Sequence, residues 1–191
     1  MSPRTAQTSA PVIEHLAERW SPRAFDATHA FPEGALRGLL EAARWAPSAN
    51  NSQPWRFIVA RRGSENFERI TETLAGFNRQ WAGSAAAFIV NIAETADAEG
   101  NARPWAEYDL GQAVAHLSVQ ATAEGVHVHQ LGGFDRDAIR AAFGLEDRQL
   151  PVSISVVGKI GSVDDLSEVL REREVAPRTR IDLESLVLVR D

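Results

Sequence analysis

Hydrophobic residues recur every three or four positions along several stretches of the chain, a spacing typical of amphipathic helices. This spacing predicts a first helix over residues 11–20 and a second from Pro32 to near Trp45. Ser64 suits the N-cap of a third helix, and residues 108–124 carry the longest helical pattern, closed by a glycine. The residues expected to face the core are Ile13, Leu16, Ala17, Trp20, Leu36, Leu39, Leu40, Ala43, Phe67, Ile70, Leu74, Phe77, Leu110, Ala113, Val114, Leu117 and Ala121.

Short apolar runs between these helical patterns predict β-strands. The predicted strands cover residues 57–60, 86–92, 126–131 and 152–157. The second run is apolar over most of its length and is expected at the centre of a sheet. A short helix with Ile139 and Phe143 facing inward is expected between Asp135 and Gly144. The alternation predicts an α+β fold, with helices flanking a mainly antiparallel or mixed sheet.

The last third of the chain carries a surface segment and an apolar end. Residues 161–173 are charged and contain few apolar positions, so they are expected at the surface. Residues 177–191 end in an apolar stretch that is too hydrophobic to remain in water. Such a stretch can add as an edge strand, either within the chain or onto a partner subunit. The long helix is rich in small residues, which favours a central position or a subunit contact.

Composition narrows the functional classes. The chain has 191 residues, which suits a single domain over residues 1–191. It has no cysteine, so thiolate metal sites and cysteine nucleophiles are excluded, and redox chemistry must come from a bound cofactor. A net charge of -6 disfavours a general nucleic-acid binder. No stretch matches a membrane span or a signal peptide, so a cytoplasmic protein without a membrane partner is expected.

The loop between the second helix and the first strand is unusually polar. Residues 46–55 read Ala-Pro-Ser-Ala-Asn-Asn-Ser-Gln-Pro-Trp, which supplies hydroxyls, amides and backbone N–H groups. Pro47 and Pro54 restrict the path of the chain, so these polar groups point in fixed directions. That chemistry suits a polar, aromatic, phosphorylated ligand. An ordinary helix-to-strand connection has a similar composition.

A second segment, residues 19–25, reads Arg-Trp-Ser-Pro-Arg-Ala-Phe. Together with residues 47–55 it resembles the nitroreductase family of FMN-dependent flavoproteins, which carries Arg-x-Ser-x-(Arg/Lys)-x-Phe followed by Pro-Ser-x-x-x-Ser-Gln-Pro-Trp. Residues 131–135 and 178–180 resemble two later elements of the same family. The resemblance covers about residues 19–186 and rests on four motifs in the family's order.

The resemblance implies a nitroreductase-like fold and a homodimer, with the C-terminal tail extending to the partner subunit and flavin sites built across the interface. It implies an NAD(P)H-dependent FMN oxidoreductase, in which hydride passes from NADH or NADPH through flavin N5 to an electron-poor acceptor. Nitroaromatics or quinones are the expected acceptors, in a ping-pong mechanism without a catalytic side chain or a metal. A specialised flavin reductase or dehalogenase and a non-catalytic FMN-binding protein are the alternatives.

The resemblance assigns the FMN phosphate to Arg19, Arg178 and Arg180. Arginine suits this role because its planar guanidinium meets phosphate oxygens in pairs and stays protonated. Each of these arginines taken alone also fits an exposed surface position. The full set of cofactor-binding residues implied by the family is Arg19, Trp20, Ser21, Arg23, Pro47, Ser48, Ala49, Asn51, Gln53, Asn78, Leu131, Gly132, Gly133, Arg178 and Arg180.

Other members of this set match family contacts to the isoalloxazine ring. Arg23 matches a cation that stabilises negative charge near flavin N1 and O2, and Ser21 matches a hydroxyl beside it. Asn78 matches an amide on the pyrimidine edge, and the N–H of Gly133 is expected near N5 and O4. Without the family resemblance, Asn78 is interpreted as the residue at the C-terminal end of a helix. The glycine pair at 132–133 then reads as a plain strand-to-helix turn.

Three positions depart from the family pattern. Trp20 stands where many members have a basic or imidazole residue. Trp81 stands where some members have lysine, which leaves Arg23 as the main cation near the pyrimidine. Gly132 stands where some members have glutamate, so no carboxylate is expected beside N5.

Two further features allow two interpretations each. His127 and His129 lie two apart and share one face of a strand, but no third metal ligand is near, so polar alternation at a sheet edge or interface is favoured. The polar loop over residues 96–107 carries Trp105 and is followed by Tyr108. It is expected either to cover the flavin and select the substrate or to be a surface excursion.

Overall fold

The computed structural model describes residues 4–190. Its helices are α1 (Glu14–Glu18), α2 (Glu33–Arg44), α3 (Glu65–Thr73), α4 (Gly76–Ala82), α5 (Ala106–Ala123), α6 (Arg136–Phe143) and α7 (Glu168–Val175). Its strands are β1 (Trp55–Arg61), β2 (Ala87–Glu94), β3 (His127–Leu131) and β4 (Gln149–Gly158). Short 3₁₀ turns lie at Ala49–Asn51, Val163–Asp165 and Leu183–Leu186. None of the described helices is long and apolar enough to cross a bilayer.

The four strands form one sheet in the order β1-β2-β4-β3, and each neighbouring pair is antiparallel. The sheet predicted as mainly antiparallel or mixed is therefore antiparallel throughout the described chain. All eight residues of β2 are buried, because this inner strand is covered on both faces. Its nearly continuous apolar sequence follows from that position.

The sheet separates two hydrophobic cores. On one face α2 and α5 pack on the sheet, with Leu39, Ile89 and Leu117 fully buried. On the other face α3, α4, α6 and α7 contribute to a second core that includes Phe88 and Ile139. The predicted core stripes of α2 and α5 are confirmed: every named residue is buried or packs against this core.

Local capping signals in the sequence are also confirmed. The Ser64 hydroxyl accepts a hydrogen bond from the N–H of Phe67, and the Asp135 carboxylate accepts one from Ala138. Gly144 ends α6 with a φ of 62°, in the left-handed region that glycine adopts at low cost.

Two predicted helices are shorter than expected. The first was expected over residues 11–20, but α1 is only five residues long, and Ile13 is 61% exposed and Leu16 47% exposed. The chain turns to an extended conformation at Arg19, which ends the helix. The third stops at Thr73, because Leu74 is extended and forms a bridge to Phe134. The chain then starts α4, on which Phe77 is partly exposed.

The end of the chain differs from the prediction in two ways. Residues 161–173 were expected to be a surface segment, but they contain buried Leu166 and the start of α7, including buried Leu170. No strand follows β4 in the described chain, so the apolar tail does not add to this chain's own sheet. The tail forms the turn Leu183–Leu186 and leaves Leu188 96% exposed. Its extension to a partner subunit stays a prediction.

Candidate functional site

The loop after α2 has an unusual backbone. Asn50, Asn51 and Gln53 all have positive φ values, at 53°, 53° and 47°. Asparagine tolerates this region better than most residues, whereas glutamine has no such advantage. Their side chains are exposed, so the loop presents polar groups from a backbone conformation that ordinary loops rarely hold. A conformation of this kind must be held in place by its surroundings.

Hydrogen bonds hold this loop from inside and from α5. The N–H of Ala49 donates to Asp109 Oδ2 at 3.0 Å, and the N–H of Gln53 donates to the Ser48 hydroxyl at 3.0 Å. Asp109 is buried in the first turn of α5, so the long helix orients the loop. The sequence motifs did not include Asp109, because its role depends on a contact 60 residues away along the chain.

The loop borders a small cavity of about 230 Å³. Pro47, Ser48 and Ala49 line one side of this cavity, and Trp105 and Tyr108 line the other. The two aromatic rings meet edge to face with centroids 6.4 Å apart, and both are well exposed. The end of the 96–107 loop therefore lies directly beside the motif loop, and its action as a substrate-selecting lid stays a prediction.

A second and larger cavity, of about 640 Å³, lies between residues 6–12 and residues 178–186. Arg19, Arg178 and Arg180 all line it. Burial lowers the pKa of Arg178, and the positive charges of nearby arginines lower it further. Burial, followed by the charge of Arg180, likewise lowers the pKa of Arg19. Within the described chain none of these three forms an ion pair with a carboxylate, so the cluster favours an anion.

Two of these arginines are held very differently. The guanidinium of Arg178 donates to the carbonyl oxygens of Arg4, Ala17 and Arg19, at 2.5, 2.8 and 2.8 Å. Arg180 is exposed and donates only to the adjacent carbonyl of Thr179, at 2.7 Å. Arg178 thus ties the chain's two ends together, whereas Arg180 lines the cavity with one described hydrogen bond, to its neighbouring carbonyl.

Glu174 organises the backbone around Arg23. The N–H of Arg23 donates to both oxygens of the Glu174 carboxylate, at 2.8 and 2.9 Å, and the N–H of Ala24 donates at 3.0 Å. The carboxylate also lies 3.9 Å from Arg23 Nη1. Burial lowers the pKa of Arg23, Glu174 opposes that change, and Arg173 adds to it.

Sequence reasoning missed Glu174 because the surrounding segment looked like a charged surface. Glu174 is in fact only 2% exposed. Leu170 lies four residues before Glu174 on α7, so the two share one helical face, and this spacing could have revealed the buried position of Glu174.

Asn78 and Gly133, two of the predicted cofactor-binding residues, contact each other. Asn78 Nδ2 donates to the carbonyl oxygen of Gly133 at 3.0 Å, and the N–H of Ala75 donates to the same oxygen at 2.9 Å. A Cβ on Gly133 would lie 2.7 Å from Asn78 Nδ2, whereas a Cβ on Gly132 would meet nothing within 4 Å. Neither glycine has a positive φ, so neither is required by turn geometry. Gly133 is explained by its close packing against Asn78, whereas Gly132 borders open space. Leu131 is buried at the end of β3.

Helix α7 joins this contact to the Arg23 segment. The Arg173 guanidinium lies over the ring of Phe77, 4.6 Å from its centroid, and Phe77 precedes Asn78 on α4. The next residue, Glu174, binds the Arg23 backbone. One short helix thus contacts both the Arg23 segment and α4, the helix that carries Asn78.

The tryptophans of the predicted site are packing residues. Trp20 is buried, with the Arg4 guanidinium 4.4 Å from its ring centroid. Ser21 is half-buried, with its hydroxyl 3.5 Å from Arg19 Nη1. Trp81 is 3% exposed and packs between Phe25 and His129. Its side chain therefore supplies no charge in place of the family's lysine.

The two histidines of β3 are largely buried. His129 Nδ1 lies 2.8 Å from the carbonyl oxygen of Pro22, and since a carbonyl only accepts, Nδ1 carries the proton. Burial is the largest cause that lowers the pKa of His129 to about 4, and burial lowers the pKa of His127 too. In residues 4–190 no three histidine, aspartate or glutamate side chains are placed to hold a metal ion.

The comparisons with known proteins agree with this architecture. The nitroreductase family model matches residues 16–159, well over half of the chain. The chain therefore belongs to the nitroreductase family. This membership confirms the fold class, the family and the oxidoreductase class that the sequence motifs predicted.

Individual relatives show how far the likeness extends. The crystal structure of an oxidoreductase containing FMN superposes with a TM-score of 0.92 at 33% identity, covering 98% of this chain and 96% of that one. An uncharacterised 15.4 kDa protein of Mycolicibacterium smegmatis is 34% identical over 138 residues, 69% of this chain and 92% of that protein. An oxygen-insensitive NAD(P)H nitroreductase of Salmonella typhimurium is 24% identical over an alignment 217 residues long, which covers 91% of this chain and 97% of that enzyme.

Proposed function

We propose that this single domain, residues 1–191, is an FMN-dependent oxidoreductase. It takes reducing equivalents from NADH or NADPH and delivers them to an electron-poor acceptor such as a nitroaromatic or a quinone, in ping-pong order. The arginine cavity carries this proposal, because Arg19, Arg178 and Arg180 crowd together without carboxylate partners in the described chain. The FMN-containing oxidoreductase and the Salmonella NAD(P)H nitroreductase support the choice of cofactor and reductant.

The phosphate of FMN fits the arginine cavity chemically. Burial first, and the neighbouring arginines second, lower the pKa of Arg19 and Arg178, and a bound phosphate would favour the charged form of both side chains. Charge-assisted hydrogen bonds of this kind contribute on the order of 1.5–3 kcal/mol each. Arg180, which donates only to its neighbouring carbonyl, is the arginine best able to turn toward the ligand.

The ring system fits the second group of residues. Asn78 commits one of its two Nδ2 hydrogens to Gly133, which leaves the other hydrogen and its Oδ1 for the imide-like edge of a flavin. The open space beside Gly132 allows a ring to approach the backbone closely. When bound, FMN supplies the redox chemistry, because flavin N5 accepts and donates hydride. The chain's own part is to bind, orient and tune the cofactor, so no side chain acts as a nucleophile.

We infer that the working unit is a homodimer. The arginine cavity and the loop cavity share no lining residue, although both carry motif residues for one cofactor. A site that combines the Arg19 and Arg180 set of one protomer with the loop 48–53 of its partner reconciles this separation. The exposed apolar tail, residues 181–189, supplies surface for such an interface.

Mixing two complementary variants is expected to restore part of the activity. One variant carries Asn51→Ala and Gln53→Ala, and the other carries Arg180→Ala. After unfolding and refolding together, heterodimers contain one native site each, so activity should recover to about a quarter of wild type in a random equal mixture. Steady-state reduction of a nitro compound measures it, with each variant refolded alone as the control. Activity no higher than the mean of the two controls, or a stable monomer with full FMN affinity, would contradict the homodimer.

Gly133→Ala is expected to weaken FMN binding about tenfold, the effect of losing one hydrogen bond. The new Cβ would displace the Asn78 amide, which lies 2.7 Å from its position. Asn78→Ala should have a similar effect, and the double variant should be little worse than either, because both changes remove the same contact. Titration of apoprotein with FMN measures the affinity. Gly34→Ala, in the first turn of α2, is the control for the glycine-to-alanine change, since its Cβ would meet no described atom within 4 Å. Additive losses in the double variant would show that Asn78 and Gly133 act independently.

The visible spectrum of the purified protein with added FMN is the first test of the function. Anaerobic mixing with NADH or NADPH should bleach the bound flavin rapidly, and a nitroaromatic or quinone should restore its absorbance. If neither NADH nor NADPH reduces the bound flavin, the protein is a non-catalytic FMN-binding protein. Reoxidation by free flavin or a halogenated aromatic, but not by nitro compounds, would identify the specialised flavin reductase or dehalogenase.

A further inference from the structure

The positive charge of Arg23 is offset by a buried carboxylate. Glu174 accepts the backbone N–H groups of Arg23 and Ala24 and lies 3.9 Å from Arg23 Nη1. Its side chain is almost inaccessible to solvent, so water screens this attraction weakly. The Arg23–Glu174 pair therefore adds little net charge to its surroundings.

A further charge next to this pair belongs to Arg173. Its guanidinium lies 4.6 Å from the ring centroid of Phe77, directly before Asn78 on α4. Within the described chain no carboxylate forms an ion pair with Arg173. Its positive charge also lowers the pKa of Arg23, which places the two guanidinium groups within electrostatic reach of each other. The net charge of Arg23, Arg173 and Glu174 together is one positive charge.

We propose that Arg173 supplies the net positive charge that stabilises the reduced flavin, while Arg23, neutralised by Glu174, positions the ring. This inference rests on the proposed function and assigns the tuning of its cofactor to a residue outside the four motifs. It also accounts for Trp81, which is buried and uncharged where some family members have lysine. Arg79, the arginine of α4 itself, donates to the carbonyl oxygens of Glu72 and Leu74, whereas Arg173 of α7 contacts α4 at Phe77.

The midpoint potential of bound FMN tests this assignment. Arg173→Gln should weaken binding of reduced FMN about tenfold more than binding of oxidised FMN. For a two-electron couple that is a fall of about 30 mV. Arg173→Lys should recover most of this shift, because it keeps the charge. Arg171→Gln is the matched control: it removes the same charge from the same helix, but Arg171 contacts Asp164, away from Phe77.

The sign of a second shift tests whether Glu174 offsets the charge of Arg23. Glu174→Gln removes the offsetting charge while keeping an oxygen that can accept backbone N–H groups, so the potential should rise. The double variant Arg173→Gln, Glu174→Gln should have a midpoint potential close to the wild-type value, because it loses one positive and one negative charge. If the Glu174 variants do not fold, the Arg173 and Arg171 series decides alone.

The outcomes distinguish this inference from the proposed function. Wild-type protein that binds no FMN would overturn both. Wild-type protein that binds and reduces FMN, with a potential that Arg173→Gln leaves unchanged or shifts no more than Arg171→Gln does, would overturn the role of Arg173 alone. A fall in the midpoint potential with Arg173→Gln but not with Arg171→Gln, recovered in Arg173→Lys, would establish the role of Arg173.

Discussion

Arg178→Ala is expected to lower FMN affinity about 100-fold and the free energy of unfolding by about 2 kcal/mol. Both effects follow from the position of this guanidinium. It lies in the arginine cavity, and it also donates to the carbonyl oxygens of Arg4, Ala17 and Arg19. Its removal takes away a phosphate donor and leaves three carbonyl groups without this partner, so the cavity wall loosens.

Arg180→Ala is the matched variant for this prediction. It removes a guanidinium from the same cavity, but its one described bond is to the adjacent Thr179 carbonyl. We expect a ten- to hundredfold loss of FMN affinity with an unchanged urea midpoint. Fluorescence titration with FMN and urea denaturation of the apoprotein measure the two quantities separately. Equal stability losses in the two variants would show that Arg178 does not tie the chain ends together.

The protein is expected to lose about 3 kcal/mol of stability between pH 7 and pH 4 through His129. Burial holds its folded-state pKa at about 4, against an ordinary value of 6.5. The unfolded chain therefore takes up a proton first as the pH falls, and stability decreases from about pH 6.5 downward. About 2 kcal/mol of this loss should appear by pH 5. His127 has a lowered pKa as well, so it adds to the loss in the same direction.

Urea denaturation of the apoprotein between pH 7 and pH 5 measures this dependence. That window lies above the ordinary range of the carboxylates, such as Asp97, whose lowered pKa values affect stability only at lower pH. His129→Gln should be less stable at pH 7 but lose less stability toward pH 5. His116→Gln, an exposed change on α5, should keep the wild-type slope. A slope in His129→Gln as steep as that of the wild type would assign the acid sensitivity to other groups.

Features encoded within a few residues were predictable from the sequence. Ser64 and Asp135 are caps because their short side chains reach an N–H three residues on, and that geometry depends on local chain alone. The periodic apolar stripes of α2 and α5 mark their buried faces for the same reason. The order and spacing of the motifs placed the polar loop after α2 and identified the family, because both are properties of the sequence itself.

Contacts between distant segments required the tertiary structure. Glu174 looks like one charge among many, and it becomes a buried anchor because α7 packs against the Arg23 segment, about 150 residues earlier in the chain. In the same way, two motif arginines differ because only Arg178 faces three carbonyl groups from the other end of the chain. Local sequence determined which residues carry suitable chemistry. Long-range packing decided which of their charges are offset, which are committed to the backbone and which are left for a ligand, because burial and partner distance set the energy of each charge.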